Sequence, residues 1–233
     1  MEEYDFQKGE ILLFDKELDW TSFDLVRKLR NFLTRRIGVK KLKVGHAGTL
    51  DPKATGLMIV CTGKETKNID LLQAKEKEYV ATIKLGATTP SYDQETAENE
   101  LFQTGHLTLE LVNEKLAGFI GETDQVPPAF SAVKIDGKRA YEHARKGNDI
   151  VLQSKRIFIS ELEVLEFSPT EIKLRLVCSK GTYVRSLARD LGEALNCGAY
   201  LVGLCRTRIG EMRLEDAWDL NDFMEKLQEN ETN

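Results

Sequence analysis

No stretch of this chain approaches the about 20 consecutive apolar residues needed to cross a bilayer. Its opening, MEEYDFQKGE, carries acids where a secretory leader has a cationic and then an apolar run. A cytoplasmic protein, with no membrane partner, is the expectation. Cysteine is sparse: Cys61, Cys178, Cys197 and Cys205 are irregularly spaced and form no CxxC pair. His46, His106 and His143 make no HExxH motif. A zinc frame and a disulfide framework are both disfavoured, and buried free thiols are expected instead. Gly63-Lys64 lacks the GxxxxGK[ST] frame of a phosphate-binding loop. No metal and no cofactor are expected.

What remains is ordinary globular material: 233 residues, 41% hydrophobic and 30% charged. That suits one large domain or two small ones. The net charge of -5 argues weakly against a nucleic-acid partner, until the charge is located. Residues 211–233 hold eight acids and only Arg213 and Lys226 as bases, leaving 31 bases against 30 acids before them. Between Lys28 and Lys43 stand seven bases and no acid, including Arg35, Arg36, Lys40, Lys41 and Lys43. Lys134, Lys138, Arg139, Arg145 and Lys146 form a second group, and Arg206 with Arg208 a third. Separate basic groups on a small protein are either solvated faces or contacts for phosphate.

Hydrophobic spacing predicts a strand over 10–15 and a helix from Thr21 or Ser22, with Phe23, Val26, Leu29 and Phe32 or Leu33 inward. Residues 44–67 read as a glycine-rich loop, a short helix or turn, an apolar strand and another turn. Residues 79–86 alternate as a strand with Tyr79, Ala81, Ile83 and Leu85 on one face. Residues 87–106 read as loop, and 108–119 as a helix with Leu109, Val112, Leu116 and Phe119 inward. Residues 124–147 read as loop, short strand and helix. Strands are expected at 155–167 and 171–179, the latter with Ile172, Leu174, Leu176 and Cys178 on one face, and a helix at 184–195. Strands and helices do not alternate as βαβ units, so the fold class is α+β with a mixed, mostly antiparallel sheet. The compositional break suggests a domain over 1–210 and a short acidic segment over 211–233.

Four clusters resist explanation as filler. In Gly45-His46-Ala47-Gly48-Thr49-Leu50-Asp51-Pro52, Asp51 is either a helix N-cap with Pro52 behind it or a carboxylate brought close to a ligand, and both can hold. His46 orients that loop, meets phosphate, or is a satisfied structural histidine. Tyr79 is either a core aromatic or a platform for an extruded base, a stack worth about 1–3 kcal/mol. In Cys178–Arg185, glycine turns a strand into a helix that Thr182 can cap. Arg185 then sits on the first turn, a poor place for a cation. Its partner is Asp51, or else Asp190 or Glu193, or it faces solvent. The basic surface is the fourth.

Five motifs bind these clusters into one resemblance: VGHAGTLDPKATGLMIVCTGKETK, KEYVATIKLG, QVPPAFSAVKIDGKRAYEHARKG, CSKGTYVRSLARDLG and LVGLCRTRIG. In this order, over about residues 10–210, the chain resembles the TruB family of bacterial tRNA pseudouridine synthases. The resemblance implies the pseudouridine synthase fold and isomerisation of uridine 55 in the T loop of tRNA to pseudouridine. It implies a monomer, with tRNA as partner and no cofactor. By motif, Asp51 resembles the catalytic aspartate, and Tyr79 the tyrosine stacked on the target base. Arg185 resembles the arginine paired with that aspartate, Leu204 the apolar pocket lining, and His46 the histidine that holds the flipped loop. Lys16 resembles the lysine of the early DKPxGxxS motif. There the chain departs, with Glu17 for proline and Asp19 for glycine, and the loop 88–96 keeps Asp93 without the usual following glycine. Members of the family often continue into a small RNA-binding PUA domain, for which residues 211–233 are too few. RNA backbone contact is then expected from Arg35, Arg36, Lys40, Lys41, Lys43, Lys134 and Arg145.

Overall fold

The computed structural model describes residues 4–131, 133–135, 138–144 and 152–229. In chain order, β1 (Ile11–Lys16), α1 (Ser22–Arg36), β2 (Val44–His46) and β3 (Thr55–Thr62) lead through a 3-10 turn to α2 (Ile69–Ala74) and β4 (Lys77–Leu85). A small hairpin, β5 (Ala87–Thr88) and β6 (Glu100–Leu101), precedes α3 (Leu109–Ala117) and β7 (Gly121–Gln125). Next come β8 (Lys134–Ile135), β9 (Lys138–Arg139), α4 (Ala140–Ala144), and the long antiparallel pair β10 (Lys155–Ser168) and β11 (Glu171–Cys178). The chain ends through α5 (Val184–Ala194), β12 (Ala199–Ile209), β13 (Met212–Arg213) and α6 (Leu220–Glu229). Two compact units result, Met1–Tyr79 with Cys205–Asn233, and Val80–Leu204.

In the first unit β3 is the central strand, because TGLMIVCT is apolar enough to be covered along its length. On one side it pairs antiparallel with β1, from Ile11 opposite Cys61 to Lys16 opposite Gly56. On its other side β2 takes one half, with Gly45 opposite Cys61. The end of β12 takes the other half in parallel, with Cys205 opposite Thr55 and Arg206 opposite Gly56. Helix α1 begins at Thr21, whose hydroxyl accepts from the Asp24 N–H at 3.0 Å while the Asp24 carboxylate accepts from the Thr21 N–H. Its buried stripe is Leu25, Val26, Leu29 and Leu33. Phe23, expected inward, is 57% exposed, since its neighbour-but-one Leu25 fits the stripe better.

The acidic residues past 210 are folded into this unit. The Trp218 N–H donates to the Leu13 carbonyl and the Asp15 N–H to the Trp218 carbonyl. Phe223 of α6 meets the buried ring of Phe14 edge-on at 5.2 Å.

In the second unit β10 and β11 pair antiparallel, from Ile159 opposite Cys178 to Ser168 opposite Glu171, and β7 adds to β10. Ile172, Leu174, Leu176 and Cys178 are all buried, as their alternation requires. Ala81, Ile83 and Leu85 of β4 are buried likewise, with Tyr79 half-buried on the same parity. The fold class is therefore α+β, with a mixed, mostly antiparallel sheet. Residues 87–106 were expected to be loop but contain the β5–β6 hairpin. Leu109, expected inward, is 42% exposed, because the α3 stripe runs through Val112 and Leu116 and the helix stops before Phe119. Among the described residues no helix is long and apolar enough to cross a membrane.

Candidate active site

Asp51 does not start a helix. Residues 51–54 form a turn, closed by the Ala54 N–H donating to the Asp51 carbonyl at 3.0 Å, and β3 follows at once. The N-cap reading fails because Thr55–Thr62 is β-branched and apolar and is claimed by the sheet. The turn is braced on three sides. Ser22, buried at the start of α1, donates its hydroxyl to the Leu50 carbonyl at 3.0 Å and accepts the Leu50 N–H at 2.8 Å. The Asp19 N–H donates to the Pro52 carbonyl at 2.8 Å, and Lys53 reaches the Asp19 carboxylate at 2.6 Å. Arg206, only 1% exposed, donates Nε–H to the Leu57 carbonyl at 2.8 Å and a terminal N–H to the Gly48 carbonyl at 3.1 Å. Arg206 is thus no phosphate-gripping surface cation, as the sequence suggested, but an internal strut for the loop before Asp51.

Gly56 explains how that strut fits. Lys16 lies opposite it on one strand and Arg206 on the other, so two buried cations flank one glycine. A Cβ at Gly56 would meet the Arg206 carbonyl at 2.4 Å, and the glycine adopts φ +101°, where side chains are strained. Lys16 Nζ donates to the Glu17 and Trp20 carbonyls, each at 2.7 Å. Burial pushes its pKa down to about 8, and the Arg206 charge pushes the same way, while the Asp51 charge is the largest influence raising it. Lys16 and Asp51 are therefore electrostatically linked within the first unit. The Glu17 and Asp19 departures have a structural answer. Asp19 takes φ +63°, the left-handed region a glycine would favour and an aspartate tolerates, so the backbone shape survives the substitution.

His46 is half-buried at the end of β2. Burial, then the Arg206 charge, lowers its pKa, which favours a neutral imidazole over a cation for phosphate. Tyr79 is half-buried near the start of β4. Arg35, Lys40, Lys41 and Lys43 are exposed, and Arg36 is half-buried.

The second unit carries Arg185, Leu204 and Lys134. Arg185 is buried on the first turn of α5. One of its N–H groups lies 3.4 Å from the Asp93 carboxylate and 3.4 Å from the Ser91 carbonyl, so Asp93 offsets a cation at a helix N-terminus. Asp190 and Glu193, offered as its partners, belong to Arg189 instead, at 2.6 and 3.9 Å. Glu193 lies four residues after Arg189, on its side of the helix, and Asp190 is its immediate chain neighbour. Asp93 in turn holds the Glu95 N–H at 2.8 Å, and Tyr92 beside it sits at φ +59°. Thr182 does not cap α5. Its hydroxyl donates to the Ser179 carbonyl, and Tyr183 is the N-cap without a side-chain bond to the helix. Leu204 is half-buried on β12. Lys134 lies on β8, and its side chain lies outside the described residues, as do Arg145 and Lys146 entirely.

The four thiols are free: Cys61, Cys178 and Cys197 are buried and Cys205 half-buried, with burial pushing Cys61 up to about 11. Among the described residues no group of three or more histidines, cysteines or acids is placed to hold a metal. Sequence reasoning missed Arg206 and the Asp19–Lys53 pair.

Residues 35–184 match a family model described as the TruB family pseudouridylate synthase N-terminal domain, and residues 185–233 match a tRNA pseudouridylate synthase B C-terminal domain. The tRNA pseudouridine synthase B of Phocaeicola vulgatus is 58% identical over 226 residues, spanning 97% of this chain and 96% of the relative. That of Flavobacterium johnsoniae is 50% identical over 225 residues, spanning 96% and 98%. Among solved structures, a chain of a Cbf5–Nop10–Gar1 complex superposes with TM-score 0.70 at 28% identity, over 94% of this chain and 54% of that one. The chain thus spans about half the length of that solved protein.

Proposed function

Because the chain belongs to the TruB family of pseudouridylate synthases, we propose that it isomerises uridine 55 in the T loop of tRNA to pseudouridine, with Asp51 as the reacting carboxylate. The observation that carries the reading is the bracing of the Asp51 turn by Ser22, Asp19 and Arg206 over the buried Lys16. A turn braced this way fixes the backbone from which the carboxylate projects before substrate arrives.

The reaction breaks the N1–C1′ bond of uridine, rotates the base, forms a C5–C1′ bond and loses the C5 proton while N1 gains one. Atoms and electrons balance within the nucleotide. Asp51 acts by attacking C1′ or by removing the C2′ proton, and either step needs it ionised, a state the Lys16 charge favours. Arg185 has the task of balancing the Asp51 charge during the reaction. Tyr79 and Leu204 hold the base, and His46 steadies the extruded loop. Extraction of the base costs a few kcal/mol, which stacking on Tyr79 offsets in part. Exposed Arg35, Lys40, Lys41 and Lys43, with Arg36, Lys134 and Arg145, take phosphates of the T arm. In this reading the catalytic domain is residues 1–210, with 211–233 as a short C-terminal segment, and the protein works as a cytoplasmic monomer.

The test is pseudouridine mapping of tRNA transcripts after incubation with the purified protein and with Asp51→Asn. The parent should modify position 55 alone. The variant should bind tRNA within about threefold of the parent and form no product. Product formation by Asp51→Asn, or modification elsewhere, would overturn the assignment.

A further inference from the structure

Of the charged residues that α1 turns towards α6, only Arg35 and Arg36 serve the T-arm contacts just proposed. Where α1 meets α6, within the first unit, lies a cleft of about 910 Å³. Trp20 and Phe32 supply aromatic wall, and Arg27, Lys28, Arg35 and Arg36 supply charge. Two acids also line it, and both are engaged: Asp24 with Arg27 at 2.8 Å and Asp19 with Lys53 at 2.6 Å. Helix α6 carries Asp222, Glu225 and Glu229, yet it turns only Met224 and Gln228 to the cleft. An acidic helix thus presents uncharged side chains to a basic one.

The cleft is continuous with the Asp51 turn. Its floor at one end is Asp19 and Trp20, and Asp19 bonds to Pro52 and Lys53. From there it follows α1, whose 15 residues extend roughly 22 Å, to Arg35 and Arg36 in the last turn. Cations tracking beside aromatic side chains, here the half-buried Trp20 and Phe32, are the chemistry of single-stranded nucleic-acid binding. The Arg27–Asp24 bridge is exposed and so costs little to exchange for a phosphate. Lys28 already lies over the Trp20 ring at 5.1 Å and donates to the Asn221 side chain, which holds the indole in place.

We propose that this cleft is a second contact for the same tRNA, taking an unpaired stretch of RNA beside the reacting nucleotide, with a base on Trp20 and a phosphate on Arg27, in line with the T-arm phosphate on Arg35. This rests on tRNA being the substrate. It makes α1 a track that sets the register of the RNA against Asp51, and it separates binding from chemistry along one helix.

Three versions of the full chain test it with a tRNA transcript as probe: Arg27→Ala, the control Lys226→Ala, and Trp218→Phe. Lys226 lies over Trp218, outside the cleft lining. The chain has two tryptophans, so Trp218→Phe leaves Trp20 as the reporter. Arg27→Ala should bind about threefold more weakly at 0.1 M salt. The slope of its log affinity against log salt should fall by about 0.7, the value of one lost contact, with kcat at saturating tRNA within twofold. The control should match the parent, and the Trp20 fluorescence of Trp218→Phe should be quenched as tRNA is added. An unchanged slope, an equal loss in the control, or unquenched Trp20 fluorescence overturns the cleft while leaving the catalytic reading intact. Parent protein that binds tRNA with these signatures but forms no pseudouridine overturns the catalytic reading and leaves the cleft.

Discussion

Replacing Arg206 by methionine should both destabilise the protein and slow it, and the structure sets the sizes. The guanidinium is fully buried and satisfies the Leu57 and Gly48 carbonyls. Methionine fills much of the space but donates nothing. Each buried acceptor left without its donor costs about 1–3 kcal/mol. Removing one of two neighbouring buried cations gives some of that back, because Lys16 is then relieved of the Arg206 charge. A net loss of about 2–5 kcal/mol follows. For a chain of this size that lowers Tm by about 5–15 °C. The Gly48 carbonyl opens the loop that leads to Asp51, so kcat should fall by at least tenfold with KM for tRNA little altered. Arg206→Lys, which can reach one carbonyl but not fork to both, should lie between. Thermal melts and steady-state kinetics on tRNA transcripts measure both. A methionine variant that melts within 2 °C of the parent and turns over at its rate would refute the strut, and with it the claim that the Asp51 turn depends on being held from behind.

Gly56→Ala should be at least as harmful, since its Cβ has only 2.4 Å to the Arg206 carbonyl and the backbone sits at φ +101°. A Tm drop beyond about 5 °C is expected by thermal melt. Asp19→Gly should leave activity within twofold and Tm within about 3 °C, because the left-handed turn is kept and only an exposed ion pair is lost. Asp19→Val, which resists that φ, should lower both. Lys16 titrates in the folded protein near pH 8 and in the unfolded chain near 10.5, so the unfolded chain holds the extra proton between those values. The stability of the parent relative to Lys16→Met should therefore rise from pH 8 to about 10.5 and stay level below 8, and a difference that is flat across pH 7–10 would contradict it.

What the sequence showed most clearly was local. The Thr21 cap, the alternation of β4 and β11 and the α5 helix all depend on residues within a few positions of one another, and all form close to where patterning puts them. Within α1, periodicity put Phe23 in the buried stripe, and packing put Leu25 there instead. The site was legible as motifs and not as mechanics. The carbonyl that Arg206 holds lies 158 positions away in sequence, and no local signal marks a buried arginine in an alternating strand. Asp51 followed by proline looks like a helix start until the apolar run behind it is claimed by two neighbouring strands. Asp93 stood out as the residue retained in an otherwise altered loop, but its tie to Arg185 across the fold of the second unit could not be read from spacing.

The closure of Trp218 and Phe223 over Phe14 has a consequence for biosynthesis. The first strand is translated before the 80–204 unit, and the residues that cover it only after that unit. A nascent chain must therefore carry an open hydrophobic seam at β1 until Trp218 and Phe223 follow, while the intervening 80–204 unit is free to consolidate. Activity should appear only once those two residues have been added, and chaperone dependence should concentrate in the interval before them.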